Sequence, residues 1–159
     1  MAKSDLPAML ALQTVCFPDL EPESENSLKA KLLASPKTCF VAEFQNQLMG
    51  YLITHPWNSN LPPPLNAPNC VIPDDSDCLY IHDLSVHPDA RGTGTSQVLL
   101  NEFFKCLDMS QFNLSALIAV QNSYGFWEKH GYNIVPPTEG IQKKLDSYGK
   151  DVHYMMKQL

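Results

Sequence analysis

The segment Val86–Leu100, VHPDARGTGTSQVLL, narrows what the chain can fold into more than any other stretch. An aliphatic run leads into a loop with Arg91, Gly92 and Gly94, and an amphipathic pattern carrying Val98, Leu99, Leu100, Phe103, Phe104 and Leu107 starts straight after. This order predicts a strand, a tight glycine turn and a helix. The free N–H groups of the first helical turn then converge on one spot, where the helix dipole adds positive potential. Gly92 and Gly94 let the backbone approach an anion without Cβ interference. Thr93, Thr95 and Ser96 offer hydroxyl donors, and Arg91 offers a fixed charge. The chemistry suited to this is diphosphate binding. Two nucleotide motifs fail in detail: no lysine follows the glycines as a Walker loop needs, and Gln97 stands where a dinucleotide fingerprint requires glycine. A glycine-rich turn with no ligand is the plainer alternative.

The flanking patterns predict a mixed α/β chain. One helix is expected over Leu6–Phe17, with Asp5 as its N-cap, Leu6, Met9, Leu10, Leu12 and Val15 inward, and Pro18 ending it. A second is expected over Glu25–Ala34, with Leu28, Leu32 and Leu33 inward. Residues 39–44 and 48–54 read as strands of an antiparallel hairpin joined by a short polar connection. Residues 56–77 carry Pro56, Pro62, Pro63, Pro64, Pro68 and Pro73, which remove ladder donors and predict a long loop. Leu79–Val86 and the near-continuous apolar run 114–120 read as strands, the latter buried and parallel. A short helix over 122–130, stopped by Gly131, and late strands near 132–135 and 151–157 complete the order. With no repeat and no linker, residues 1–159 form a single domain.

Composition limits the partners. Formal net charge is −6, which repels phosphate backbones, argues against nucleic acid and favours a cationic ligand. The five cysteines are odd in number and lack C-x-x-C spacing, so neither a zinc site nor a disulfide framework is indicated. No apolar run approaches the roughly 20 residues of a membrane-spanning helix, and the first ten residues lack a secretory apolar core. The expectation is a cytoplasmic protein with no membrane partner and no metal.

Arg91-Gly-Thr-Gly-Thr-Ser, preceded by a strand ending Val86-His87-Pro88, resembles the acetyl-CoA signature of the GNAT superfamily, Arg/Gln-x-x-Gly-x-Gly/Ala. Arg91 and Gly94 match it, and Ser96 replaces the usual small residue. Asn122-Ser-Tyr-Gly-Phe-Trp-Glu-Lys-His-Gly-Tyr is similar to the family's late motif, and the closing DVHYMMKQL is similar to its last strand. The likeness spans essentially the whole chain, with the usual first strand missing or shortened. It implies a GNAT-like central mixed sheet, flanked by helices, whose two parallel strands 79–86 and 114–120 splay apart. It further implies acetyl-CoA as co-substrate. The pantetheine arm would pair with Leu84, Ser85 and Val86, and the diphosphate would sit on Arg91, Gly92, Thr93, Gly94, Thr95 and Ser96. Asn122 would contact the arm from the other side, with Phe126 and Trp127 lining it.

The implied reaction is direct attack of a neutral amine on the thioester, so a proton must be removed. Strand alternation puts Tyr80, His82, Leu84 and Val86 on one face, and Ile81, Asp83 and Ser85 on the other. His82 is the candidate base, with a buried structural histidine as the alternative. The segment IHDLSVH is similar to that of the arylalkylamine N-acetyltransferase branch, with Tyr80 at the place of that branch's second histidine. Asp83 is the second candidate base, but alternation points it away from Tyr80 and His82, and a structural role is expected. Where the family often has an acid tyrosine on the late helix, this chain has Trp127, so Tyr124 is the substitute, or a thiol of pKa roughly 8.5 leaves unaided. The expected acceptor is a small primary amine of arylalkylamine or polyamine type, met by Trp57, Asp74, Asp75 and Asp77 of the 56–77 loop. Rival readings are a transferase for protein lysines or α-amines, and an acyl-CoA-binding sensor without catalysis. A monomer or homodimer is expected.

Overall fold

The computed structural model describes residues 1–18, 21–146, 148 and 150–159. The chain runs through α1 (Leu6–Cys16), α2 (Glu25–Ala34), β1 (Phe40–Phe44), β2 (Gln47–Trp57), β3 (Cys78–Val86), α3 (Thr95–Asp108), β4 (Leu114–Ala119), α4 (Tyr124–Lys129), β5 (Asn133–Ile134), α5 (Glu139–Asp146) and β6 (His153–Gln158). The strands form one mixed sheet in the order β1-β2-β3-β4-β6-β5. On one face, α3 and α4 bury Leu99, Leu100, Phe103, Leu107 and Trp127 against Leu52, Leu79, Ile81 and Leu117. On the other, α1 and α2 cover Tyr51 and Ile53, and farther along α5 covers Tyr80 and Ala116.

The N-terminal helices follow their apolar spacing with two adjustments. In α1 the buried stripe is Leu6, Met9, Leu12, Gln13 and Cys16, while Val15 faces solvent. Gln13 goes inward because its side-chain amide clasps the Glu23 backbone, accepting from its N–H at 3.0 Å and donating to its carbonyl at 3.2 Å. Asp5 occupies the N-cap position of α1 but makes no side-chain capping bond there; its carboxylate accepts the Ala2 N–H at 2.6 Å and closes the short 3-10 turn Lys3–Asp5. No strand precedes α1 among the described residues. In α2, capped by Ser24, Leu28 and Leu32 are buried and Leu33 is exposed, because Ser27 and Lys31 take the inner face beside them.

The hairpin turn uses Gln45 and Asn46 at φ +50° and +62°. Strand β2 runs past the expected end at 54 to Trp57, with Pro56 opposite Leu79, so the proline-rich connection begins only at residue 58. Helix α5 has no counterpart in the sequence reading: in EGIQKKLD only Ile141 and Leu145 turn inward, too few to register as a stripe.

One irregularity positions everything that follows. Strands β3 and β4 pair in parallel only through Leu79–Ser115, Tyr80–Ala116 and Ile81–Leu117. Beyond Ile81, β3 stays with β2 as far as Val86, and β4 stays with β6 as far as Ala119. The two central strands therefore part, as the sequence likeness implies.

Candidate active site

The parting of β3 and β4 opens a cleft of about 670 Å³. Because it lies between strands, the cleft passes through the sheet. Ser96, Phe126 and Trp127 line it from the α3/α4 side, Phe17, Glu21, Leu65 and Tyr148 from the opposite side, and Arg91 borders it near Cys16 of α1. Leu84, Ser85 and Val86 form part of its wall. Past Ile81 the β4-facing backbone groups of β3 have no strand partner, which leaves them for a ligand.

At one end lies the glycine turn. After β3 a 3-10 turn, Pro88–Ala90, leads to Gly92 at φ +77° and Gly94 at φ +91°. A Cβ at either glycine would meet nothing within 4 Å, so it is the left-handed backbone that calls for glycine, and the space above is open. Thr93 Oγ1 donates to Ala90 O at 2.8 Å and lies 3.0 Å from Thr95 Oγ1. The first bond of α3 runs from Val98 N–H to Gly94 O at 3.0 Å, so the amides of Thr95, Ser96 and Gln97 have no helical acceptor behind them. No acidic residue stands in this first turn. Arg91, Gly92, Thr93 and Gly94 are exposed, and Arg91 lies beside the Cys16 thiol, whose pKa burial pushes up against the opposing pull of that guanidinium. The donor set and the open concave side fit a diphosphate.

Gly50, which sequence reasoning did not single out, supports this end from beneath. A Cβ there would approach Ser85 O at 3.1 Å and Leu99 Cδ1 and Thr95 Cγ2 at 3.2 Å. Bare backbone at 50 lets the start of α3 rest directly on the sheet.

At the middle of the cleft β3 carries a bulge. Ile53 pairs with Asp83 and the next residue, Thr54, pairs with Ile81, so His82 is the extra residue. Alternation resets there. Leu79 and Ile81 before it, and Leu84 and Val86 after it, all pack on the α3 side. Tyr80, His82 and Asp83 turn to the other face, which corrects the expectation that Asp83 points away from His82. Asp83 accepts hydrogen bonds from Tyr51 Oη and, at 3.0 Å, from Ser85 Oγ. Burial nevertheless pushes its pKa up.

His82 Nε2 bonds to Glu23 Oε1. The other oxygen, Oε2, accepts from Lys31 Nζ at 2.6 Å and from the Asn66 backbone N–H at 3.2 Å. The side chains of His82, Lys31 and Glu23 are only 3%, 3% and 9% exposed, so the three are desolvated together. Burial pushes the Glu23 pKa up, but hydrogen bonds from His82 and Lys31, together with the Lys31 charge, outweigh it and hold the carboxylate well below its ordinary range. His55 of β2 stands 5.8 Å from the His82 ring and 6.1 Å from Tyr80, centroid to centroid. Its Nε2 is buried and is the one such side-chain atom without a partner among the described residues. Burial pulls its pKa down to about 3. Glu23, Lys31 and His55 were missed from sequence because no local spacing links them to His82.

The remaining candidates separate. Tyr80 lines the cleft, its hydroxyl facing the Ile118 N–H where the strands part, and burial holds its pKa well above 10. Tyr124 lies outside the cleft, edge-on to His153 at 5.2 Å between centroids. Gln121 and Ser123 line the cleft, but Asn122 between them, at φ +59°, does not. The loop acids serve the loop itself: Asp77 accepts the Ser59 N–H and Oγ, both at 2.7 Å, and Asp75 accepts from Asn58 Nδ2 at 2.8 Å. Neither these two, nor Asp74, nor Trp57 lines the cleft; its carboxylates are Glu21, Glu23 and Asp83. Among the described residues no group of three or more His, Cys, Asp or Glu is placed to hold a metal ion, and no helix is long and apolar enough to cross a membrane.

A family profile described as Acetyltransferase (GNAT) family matches residues 6–132. No curated protein gives a significant sequence match. Among solved structures, the GphF GNAT-like decarboxylase in complex with isobutyryl-CoA superposes with a TM-score of 0.77 at 15% identity, covering 99% of this chain and 96% of that one. N-acetylglutamate synthase from Neisseria gonorrhoeae, complexed with coenzyme A and N-acetyl-glutamate, gives 0.72 at 17% identity over 98% of this chain and 33% of that one. Naa50 from Arabidopsis thaliana, bound to the bisubstrate analogue CoA-Ac-MVNAL, gives 0.68 at 18% identity over 100% and 95%.

Proposed function

The chain belongs to the GNAT acetyltransferase family, whose fold serves acyl-CoA-dependent acyl transfer; from that premise we propose that it moves an acetyl group from acetyl-CoA to the primary amine of a small molecule with an apolar body. The observation that carries this reading is the strand gap itself, with a phosphate cradle at one end and a bulged histidine at its centre. The amides of residues 95–97 and the Arg91 guanidinium hold the diphosphate, and the open edge of β3 at residues 84–86 takes the pantetheine arm. Phe126 and Trp127 line the same side. The coenzyme supplies an activated thioester, and the rest of the chemistry falls to the protein.

His82 donates Nε2–H to Glu23, which fixes the tautomer and leaves Nδ1 as the proton acceptor for the incoming ammonium. Glu23 then steadies the imidazolium, as a carboxylate does in any histidine–carboxylate pair. Unpaired amides along the β3 edge stabilise the charge that develops on the carbonyl oxygen. The leaving group, a thiol of pKa roughly 8.5, departs as the thiolate without a protein acid, because burial raises the Tyr80 pKa and makes it a poor proton donor. On the acceptor side, Phe17, Leu65 and Tyr148 suit an apolar or aromatic tail, and Glu21 suits a cation. This enclosure favours a small arylalkylamine over a protein chain. The test is release of free thiol from acetyl-CoA across a panel of arylalkylamines, polyamines and peptides. A turnover loss of about 10²–10⁴-fold in His82→Gln, with coenzyme binding kept, supports the reading. Peptide-only activity refutes the small-amine acceptor, and full activity in His82→Gln refutes His82 as the base.

A further inference from the structure

A buried lysine is costly unless its charge is used, and Lys31 stands next to a buried imidazole that, on the proposed reaction, must accept a proton. Its ammonium is held from two directions, by Glu23 Oε2 at 2.6 Å and by Ser27 Oγ at 2.6 Å one turn back on α2. Glu23 is thus divided: one oxygen serves His82 and the other serves Lys31. A carboxylate given wholly to His82 would favour the imidazolium, a form with no lone pair left to receive an amine proton. A cation on the far oxygen opposes that.

We propose that Lys31 is a positioning residue of the transfer site: by sharing Glu23 with His82, its ammonium keeps the imidazole neutral and protonated on Nε2, with Nδ1 open toward the amine. No partner engages His82 Nδ1 among the described residues. The other charged or titratable groups around the imidazole do not perform this function. His55, from β2, is held neutral by burial. Tyr80, on β3, is kept protonated, and Asp83 beside it is engaged by Tyr51 and Ser85. Lys144 of α5 and Tyr148 lie within electrostatic reach of Glu23, whereas Lys31 touches its carboxylate directly.

The inference rests on His82 as base, and its test reads the imidazole directly. The protein is labelled with ¹⁵N-histidine, its five histidines are followed by long-range ¹H–¹⁵N NMR against pH, and His82→Gln identifies the signal. The parent protein is expected to show His82 as the Nε2–H tautomer at pH 7.5. Lys31→Gln keeps a donor to Glu23 but no charge, and it should raise the pH at which His82 gains its proton by about one unit, roughly tenfold in proton affinity. Lys31→Arg should leave it nearly in place, and Glu23→Gln should lower it. The acid limb of thiol release should move up in step in Lys31→Gln. An unmoved midpoint in folded Lys31→Gln overturns the proposal; so does a parent His82 that is doubly protonated or Nδ1–H at pH 7.5, an outcome needing no variant. Should His82→Gln prove fully active while Lys31→Gln still shifts the titration, the assignment of His82 as base falls and the electrostatic coupling stands.

Discussion

Replacing Gly50 with alanine asks whether the floor under α3 sets the quality of the phosphate cradle. The added methyl would sit 3.1 Å from Ser85 O and 3.2 Å from Leu99 Cδ1 and Thr95 Cγ2, each a few tenths of an ångström inside ordinary contact. Ser85 is fixed by its pairing with Tyr51, so relief has to come from the first turn of α3. Overpacking of this kind costs about 1–3 kcal/mol. Loss of glycine's freedom in the unfolded chain returns about 0.4–1 kcal/mol. The net is about 1 kcal/mol of lost stability, a fall of about 3 °C in Tm for a chain of this size. The same displacement moves the amides of residues 95–97 off their shared focus. Coenzyme A affinity by calorimetry should therefore fall about 3- to 10-fold, equivalent to about 0.7–1.4 kcal/mol. Unchanged Tm together with unchanged coenzyme affinity would refute the reasoning, because the helix start would then not be seated on bare backbone.

Arg91→Ala removes the one fixed charge on the cradle and should weaken coenzyme binding by about 10- to 100-fold without lowering Tm, measured by titration calorimetry and thermal unfolding. The fold should also lose stability in acid, in two stages. With its folded pKa pulled down to about 3, His55 stays neutral in the native state while the unfolded chain takes up a proton below about 6.5, so stability falls as pH drops from about 6.5 toward 3, at up to about 1.4 kcal/mol per pH unit. Glu23, held below its ordinary value of 4.5, adds to the loss below that pH. Urea unfolding of the parent and of His55→Phe between pH 7 and 5 separates the two, and a parent curve flat over that range rules out a native His55 held neutral.

How much of this was legible depends on the range of each interaction. The glycine turn, α2, the hairpin and the parallel apolar strands were visible because propensity and periodicity are local. The turn at residues 91–96 and the helix start behind it were legible for the same reason. The bulge was not: nothing in Tyr80-Ile81-His82-Asp83 announces that β2 will pair one residue out of step, and that single insertion reversed the assignment of Asp83. Glu23 and Lys31 were invisible because their tie to His82 spans some 59 positions for the carboxylate alone. Gly50 looked like an ordinary strand residue, since what it accommodates arrives from a distant helix. Tyr124 failed as a substitute for a different reason. It stands three positions before Trp127, but its ring turns to His153 instead of into the cleft.

A passage that pierces the sheet separates the two reactants by a wall of strands except at one point. Donor and acceptor can then occupy their own vestibules at the same time, each entering and leaving without waiting for the other to vacate. Such a layout has no need of an acyl group parked on the protein between half-reactions, and the one cysteine bordering the passage, Cys16, is a buried thiol whose pKa is pushed up rather than down. Under the proposed chemistry the initial-rate pattern follows from topology: a ternary complex, with intersecting reciprocal plots.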